Sequence, residues 1–314
     1  MAVIPLNIVD AFATRPFAGN PAAIIPNANT LTTEEMIRIS EELGMEVGFV
    51  LPSDQRGADV RLRFFIDRSE DTLSGHVLMA ALACMADRGI FRPKDTSEGT
   101  LLHVETLAGV LQCRLLAEPE GLTRINCEMP NPRFGEVVPP DEVAAALDMP
   151  ADQLRVNGHG PQRVSCGFDQ IIVPVADPKL MLGSLKDMDR VQALLDERGA
   201  AGLSLFCPET RDPNSHFQCR FLHPDDRRTE DIASGTCMAA VAAYAVTNGL
   251  IPITDRMVVI TEQGHALGRP TTCEVIVRMV ENGISSIYLS STGAVVMRGS
   301  LQFNRLNRSM VAEA

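Results

Sequence analysis

Residues 70–81 read EDTLSGHVLMAA and residues 230–240 read EDIASGTCMAA, so a Glu-Asp-x-x-Ser-Gly hexad recurs after 160 positions and runs each time into a small, apolar stretch. Each Ser-Gly stands where a helix would begin. Ser74 and Ser234 are side chains of the N-cap type, and Gly75 and Gly235 let a ligand approach the backbone closely. The first N–H groups of such a helix have no intrahelical partner, and the dipole adds partial positive charge, so each start can receive an anion. Two such starts facing one cleft would hold a small carboxylate between them. The side-chain chemistry differs between the copies: His76 follows the first glycine and Thr236 the second. Imidazole is well suited to exchanging protons near neutral pH, and a nearby carboxylate such as Asp231 can share its proton. Asp71 is the first-copy equivalent of Asp231, and symmetry does not choose between them.

The elements that must position these residues are also written twice. VIPLNIVDAF and FAGNPAAIIP read as two strands separated by a Gly-Asn-Pro turn. A helix follows, opened by the capping box Thr32-x-x-Glu35, with Met36, Ile39 and Leu43 on its apolar face and Gly44 at its end. GFVLPS and the alternating DVRLRFF are further strands, and His76–Asp87 is an Ala-rich buried helix stopped at Arg88-Gly89. In the second half HFQCRFLHP leads to the hexad, and Thr236–Thr247 is a helix ended by Asn248-Gly249. Strand, loop and helix match in order, with RFF before the first hexad and RF before the second. A period of 160 residues means a duplicated domain rather than a solenoid of short repeats. The expected fold is therefore α/β (α+β), two similar domains over residues 1–130 and 131–314, with a final strand free to return to the first. The proline-rich EMPNPRFGEVVPPDE (128–142) reads as the connector.

Length and composition agree with this. A chain of 314 residues suits two domains of about 150 each. A net charge of −12 argues against a nucleic-acid or anionic-membrane partner. The longest apolar runs, Val77–Ala86 and Cys237–Val246, fall well short of the roughly 20 residues that span a bilayer. The N-terminus has no basic region and carries Asp10, so a cytoplasmic location is expected. The eight cysteines are scattered, with no Cys-x-x-Cys and no metal spacing, and read as buried reduced thiols.

At these residues the chain resembles the PhzF family of phenazine biosynthesis, within the diaminopimelate-epimerase-like fold. The resemblance runs nearly end to end, through VDAFATRPFAGNPAAII, Glu46-Val-Gly-Phe-Val, Glu70 to Gly75-His76, Glu230-Asp231-Ile-Ala-Ser-Gly235-Thr236, EQGHALGRPTTCEVIV and STGAVVMRGSL. It implies two domains, each a curved mixed β-sheet or barrel wrapped around a central helix. It also implies a cofactor-independent isomerase with no metal, in which a glutamate takes a proton from one carbon and returns it to another. Carried over, the acid/base is Glu46, with His76 and Asp231 as partners, while Gly75, Gly235 and Thr236 bind a small carboxylate-bearing substrate. Without the resemblance Glu46 reads as a solvated loop carboxylate. The resemblance further implies a homodimer, which sedimentation would distinguish from a single 34.0 kDa chain. The chain departs from the family pattern at Ile232, Thr236, Met45 and Asp71–Leu73, which puts the substrate, rather than the proton-transfer set, in question. Two other readings stand beside the isomerase. One is a racemase or epimerase of the same fold, which would need thiols where this chain has Ser74 and Ser234; the other is a non-catalytic small-molecule binder.

Overall fold

The computed structural model describes residues 2–183, 187–223, 229–252, 254, 256–281 and 283–303. The chain gathers into two compact units, one holding residues up to Cys127 with the chain from Thr292 onward, the other Glu128–Ser291.

In the first unit the sheet runs Gly293–Phe303, Ala2–Ala11, Asn20–Ile25, Val47–Leu51, Val60–Ile66, Thr100–Thr106, Gly109–Ala117 and Thr123–Met129. In the second it runs Arg133–Val137, Gln162–Ser165, Asp169–Pro174, Leu203–Cys207, Phe217–Leu222, Arg256–Gln263, Thr271–Val280 and Gly283–Ser291. Neighbour by neighbour the two orders carry the same directions, with parallel pairs only at the third and fifth junctions. The hexads occupy the same place in both: Glu70 and Asp71 lie opposite Phe65 and Phe64, and Glu230 and Asp231 opposite Leu222 and Phe221. The repeat in the sequence is thus a repeat of topology and of register.

Each hexad feeds a helix apolar on every side, Gly75–Asp87 and Gly235–Thr247, whose residues are buried up to Met85 and Val246. A helix without a polar face must be enclosed, and each is packed by the strands of its own sheet. The opposite face of each sheet is covered differently. In the first unit the amphipathic helix Thr33–Leu43 brings Met36 and Ile39 onto Val47, Phe49 and Phe65. In the second, helices Pro140–Leu147 and Met188–Arg198 cover Ile171, Leu203 and Leu205. Strand alternation therefore sorts Val47 and Phe49 to the outer helix and leaves Gly48 facing the central one. A Cβ on Gly48 would lie 2.7 Å from Val77 Cγ1, so the central helix comes close because glycine is there.

The capping box at Thr32 and Glu35, and Gly44 in the left-handed conformation, are as the sequence predicts. The stretch 128–142 is not a free connector. Arg133–Val137 pairs with Gln162–Ser165 as the edge strand of the second unit, and Pro140 is the first residue of the next helix. Its prolines stand before the strand and at the helix start, positions that lack a needed N–H donor and so tolerate proline.

Candidate functional site

Glu46 follows the helix-ending Gly44 by two residues and precedes Gly48 by two, so it shares the sheet face that meets the central helix. Its carbonyl accepts from Ala23 N at 3.0 Å, which fixes the backbone beside the strand Asn20–Ile25. From there the carboxylate reaches the helix start. Ser74 Oγ donates to Glu46 Oε2 at 2.7 Å and lies 3.3 Å from His76 Nδ1. His76 Nε2 in turn stands 3.7 Å from Glu46 Oε1. With the serine proton directed to the glutamate, the serine oxygen is the acceptor for Nδ1–H, which sets the imidazole tautomer and turns Nε2 toward the carboxylate. The His76 side chain is 4% exposed and that of Glu46 18%, so the carboxylate is screened by protein on one side and open on the other.

Ser74 does hold the N-cap position, but it makes no side-chain cap bond, because its hydroxyl is directed to Glu46. Ser234 is the conventional cap of the pair: its Oγ accepts from Cys237 N at 3.3 Å and lies 2.9 Å from Thr236 Oγ1. The serine and the residue two later therefore touch in both copies, as Ser74–His76 and as Ser234–Thr236. Asp231 stands in the second unit at the register position of Asp71, and its carbonyl accepts from Gln263 Nε2 at 3.0 Å. Gly75 and Gly235 are the first helical residues of their copies, both buried.

The position corresponding to Glu46 in the second unit is Gly202. The carbonyls of both residues accept from the neighbouring strand at 3.0 Å, from Ala23 N and Ile171 N, and both immediately precede the matching strand residues Val47 and Leu203. A side chain at 202 has nowhere to go, since a Cβ would lie 2.5 Å from Phe221 Cε2 and 2.8 Å from Leu222 O. Of the two equivalent positions only 46 carries a carboxylate.

The first acidic residue of each hexad is structural. Arg63 grips Glu70 through Nε and Nη2 at 2.7 and 2.5 Å, and Arg220 grips Glu230 in the same way at 2.9 and 2.6 Å. These arginines are the ones in RFF and RF, where the repeated letters advertised them. The fork matches a planar guanidinium to a carboxylate and fixes the head of each loop.

Around the second helix start a further set, unread in the sequence, holds the main chain. Gln170 Nε2 donates to Thr236 O at 3.2 Å and its Oε1 accepts from Ser204 Oγ. Among the described residues no three His, Cys, Asp or Glu side chains are grouped to hold a metal ion, and no helix is long and apolar enough to cross a membrane. All eight thiols are buried, and burial pushes those of Cys84 and Cys166 up to about 12, so they stay protonated at neutral pH.

Two duplicated units, each a mixed sheet around a buried helix entered through Ser-Gly, define an isomerase and epimerase fold. The similarities agree. The family model described as phenazine biosynthesis-like protein, PhzC-PhzF, matches residues 9–299. An "uncharacterized isomerase" of Deinococcus radiodurans is 30% identical, over 93% of this chain and 92% of its own. The trans-2,3-dihydro-3-hydroxyanthranilate isomerase of Pseudomonas aeruginosa is 26% identical, over 93% and 97%. Among solved structures, a PhzF-family protein of Bacillus anthracis matches with a TM-score of 0.85 at 27% identity, covering 96% of this chain and all of that one. A hydroxyproline epimerase of Agrobacterium vitis shares the fold at a TM-score of 0.64 and 12% identity, covering 96% and 91%. The chain belongs to the PhzC-PhzF family and is an isomerase.

Proposed function

We propose that this isomerase works without a cofactor and moves a proton between two carbons of a small carboxylate-bearing metabolite, with Glu46 as the group that carries the proton. The observation behind this reading is the chain Glu46–Ser74–His76, a carboxylate held at a helix start by a serine that also orients an imidazole. The carboxylate form of Glu46 removes the proton from a carbon next to the substrate's electron-withdrawing group, and the C–H electron pair moves into the conjugated system. The resulting carboxylic acid returns the same proton to a second carbon, so the overall reaction is proton-neutral and redox-neutral. The Ser74 hydroxyl steadies the charge on Glu46 while the proton is absent, His76 is held beside the carboxylate through the same serine, and Asp231 polarises the substrate. The N–H groups that open the two central helices, at Gly75 and Gly235 with Thr236, receive the substrate carboxylate.

Gly202 favours a single carrier over a pair of bases. A racemase that removes a proton from one face and supplies another from the opposite face needs two acid/base groups. Here the duplicate of the Glu46 position has no side chain, and Ser74 and Ser234 have hydroxyls too weakly acidic to serve as neutral-pH bases.

Glu46→Gln tests the proposal. General acid/base help contributes about 10²–10⁴-fold in rate, so kcat should fall by that factor while the affinity for substrate changes little. The first compound to assay is trans-2,3-dihydro-3-hydroxyanthranilate, which the Pseudomonas relative's name specifies. A thermal-stabilisation screen of pooled small carboxylates supplies the next one if that is not turned over, because a ligand at 100 times its Kd adds about 2.7 kcal/mol of stability. Parental turnover by the Glu46→Gln protein would refute the role.

A further inference from the structure

We infer that Gln263 is a positioning residue for the isomerase reaction, a brace that sets the Asp231–Ser234 loop and so decides which of the two equivalent aspartates serves the site. The inference rests on the role proposed above for Asp231.

Gln263 is the last residue of the strand Arg256–Gln263 and is fully buried. Its amide bonds both ends of the loop: Nε2 donates to Asp231 O at 3.0 Å, and Oε1 accepts from Ser234 N at 3.2 Å. The brace is itself fixed, since Gln263 O accepts from Thr271 Oγ1 at 3.1 Å. The next residue packs against the middle of the same loop. Gly264 has φ +81°, and a Cβ there would lie 2.2 Å from Arg269 O and 2.8 Å from Ile232 O. With Arg220 on Glu230, the loop from 230 to 234 is held at its head, at both ends of its turn, and along its flank.

Among the described residues the first unit carries a different side chain at this place. Register places Glu105 against Arg61 and Glu262 against Gln218, so the residue corresponding to Gln263 is Thr106. Thr106 Oγ1 is committed to its own turn, donating to Gly109 O at 2.9 Å and accepting from Ala108 N at 3.2 Å. A hydroxyl that short and so engaged does not span a loop. The two hexads share their acidic residues and their arginine forks, and differ in the brace. An amide at the end of a longer side chain carries its donor and its acceptor on separate atoms, so it can bond two main-chain groups several residues apart at once without charge. The brace breaks the symmetry between Asp71 and Asp231.

The experiment measures turnover and amide hydrogen exchange on the full chain, for Gln263→Met, which keeps the shape and loses both bonds, and Gln263→Glu, which keeps the acceptor for Ser234 N–H. The substrate is trans-2,3-dihydro-3-hydroxyanthranilate or the carboxylate that the stabilisation screen returns. Gln263→Met should lower kcat by about ten- to a hundredfold with a smaller change in KM, as misplacement of a catalytic group does. Exchange at Ser234 N–H should quicken by about tenfold, the scale of one lost hydrogen bond. Gln263→Glu should retain the Ser234 protection and fall between parent and Gln263→Met in kcat. In an Asp231→Asn background, Gln263→Met should cost no more than about twofold further, because a brace with nothing to position is silent, whereas a general loss of stability would add independently. Parental kcat in Gln263→Met, unchanged exchange at Ser234, or full additivity with Asp231→Asn would each overturn the inference. Should Asp231→Asn alone keep parental turnover, the role of that aspartate falls, and the brace loses its object. If Asp231→Asn is slow and Gln263→Met is not, the brace alone fails.

Discussion

Replacing Glu230 with Gln removes one charge from a pair that is buried on both sides, while Glu70→Gln makes the same change in a pair that water reaches. The side chains of Arg220 and Glu230 are each 7% exposed, against 14% and 21% for Arg63 and Glu70. In Glu230→Gln the guanidinium keeps the Met181 and Gly183 carbonyls, at 2.7 and 3.0 Å, but its charge loses the only carboxylate that grips it among the described residues. Breaking a buried pair by removing one partner costs about 3–5 kcal/mol, because the remaining charge is left in low dielectric. Arg63 can rehydrate, and it retains Thr33 Oγ1 at 3.0 Å and the face of Phe65 at 5.0 Å, so Glu70→Gln should cost about 1–2 kcal/mol. Amide exchange reads each unit separately. At about 1.4 kcal/mol per factor of ten, the strand Phe217–Leu222 should exchange about a hundred- to a few thousandfold faster in Glu230→Gln. The strand Val60–Ile66 should quicken by about five- to thirtyfold in Glu70→Gln. Equal effects, or a larger one at Glu70, would refute the argument that burial decides what the twice-written pair is worth.

Two further substitutions separate serines that look alike in the sequence. Ser234→Ala loses a cap bond and should lower stability by about 1 kcal/mol with little effect on turnover, while Ser74→Ala loses no cap bond but gives up the bond to Glu46, so it should cost stability on the same scale and also slow turnover; parental turnover in Ser74→Ala would show that the Glu46 contact is incidental. The thiols give the alkaline limit: Cys84 and Cys166 titrate near 12 in the folded chain and near 8.5 when unfolded, so their stabilisation is full below about pH 8.5 and is lost as pH rises toward 12, at roughly 1 kcal/mol per unit for each. Native protein should accordingly react with a thiol reagent slowly at pH 8 and release all eight thiols in denaturant; a fast native thiol would contradict their burial.

The parts legible in the sequence are those written in local chemistry. Thr32 and Glu35 name a helix start, Gly44 an end, and the composition of His76–Asp87 says that the helix is enclosed. Duplication was legible because the hexad sits in the same strand-loop-helix setting twice. Three things were hidden, because each depends on how strands pair and which face a residue takes rather than on a local signal. The Arg63–Glu70 and Arg220–Glu230 forks need the strand and the hexad to pair antiparallel, although both arginines stand in the repeated RF. Gln263 needs a parallel neighbour to bring it beneath the hexad from 32 residues away. Glu46 has no local mark at all, and its place on the inner face follows from its being two residues from Gly48. The proline-rich 128–142 misled because prolines that punctuate an edge strand and a helix start look the same as prolines in a linker.

The pattern of what the two copies share and what they do not separates framework from chemistry. Both keep the strand directions, the Arg-Glu fork, the aspartate opposite phenylalanine and the serine at the helix start; these hold two buried helices in place and would be needed whether or not a reaction occurred. They differ at Glu46 and Gly202, at Gly48 and Ser204, at His76 and Thr236, and at Thr106 and Gln263. All four differences fall on the inner faces or strand ends around the helix starts. At Gly48 the first unit lets its helix approach, and at Ser204 the second ties Gln170 to the helix carbonyl through a bond that Gly48 could not make. The first copy thereby carries a carboxylate and an imidazole joined through a serine, and the second a loop braced by an amide. A symmetric pair of sites would have to hold and move protons in both halves; in the reaction proposed above, the moving falls to the first copy and the holding to the second.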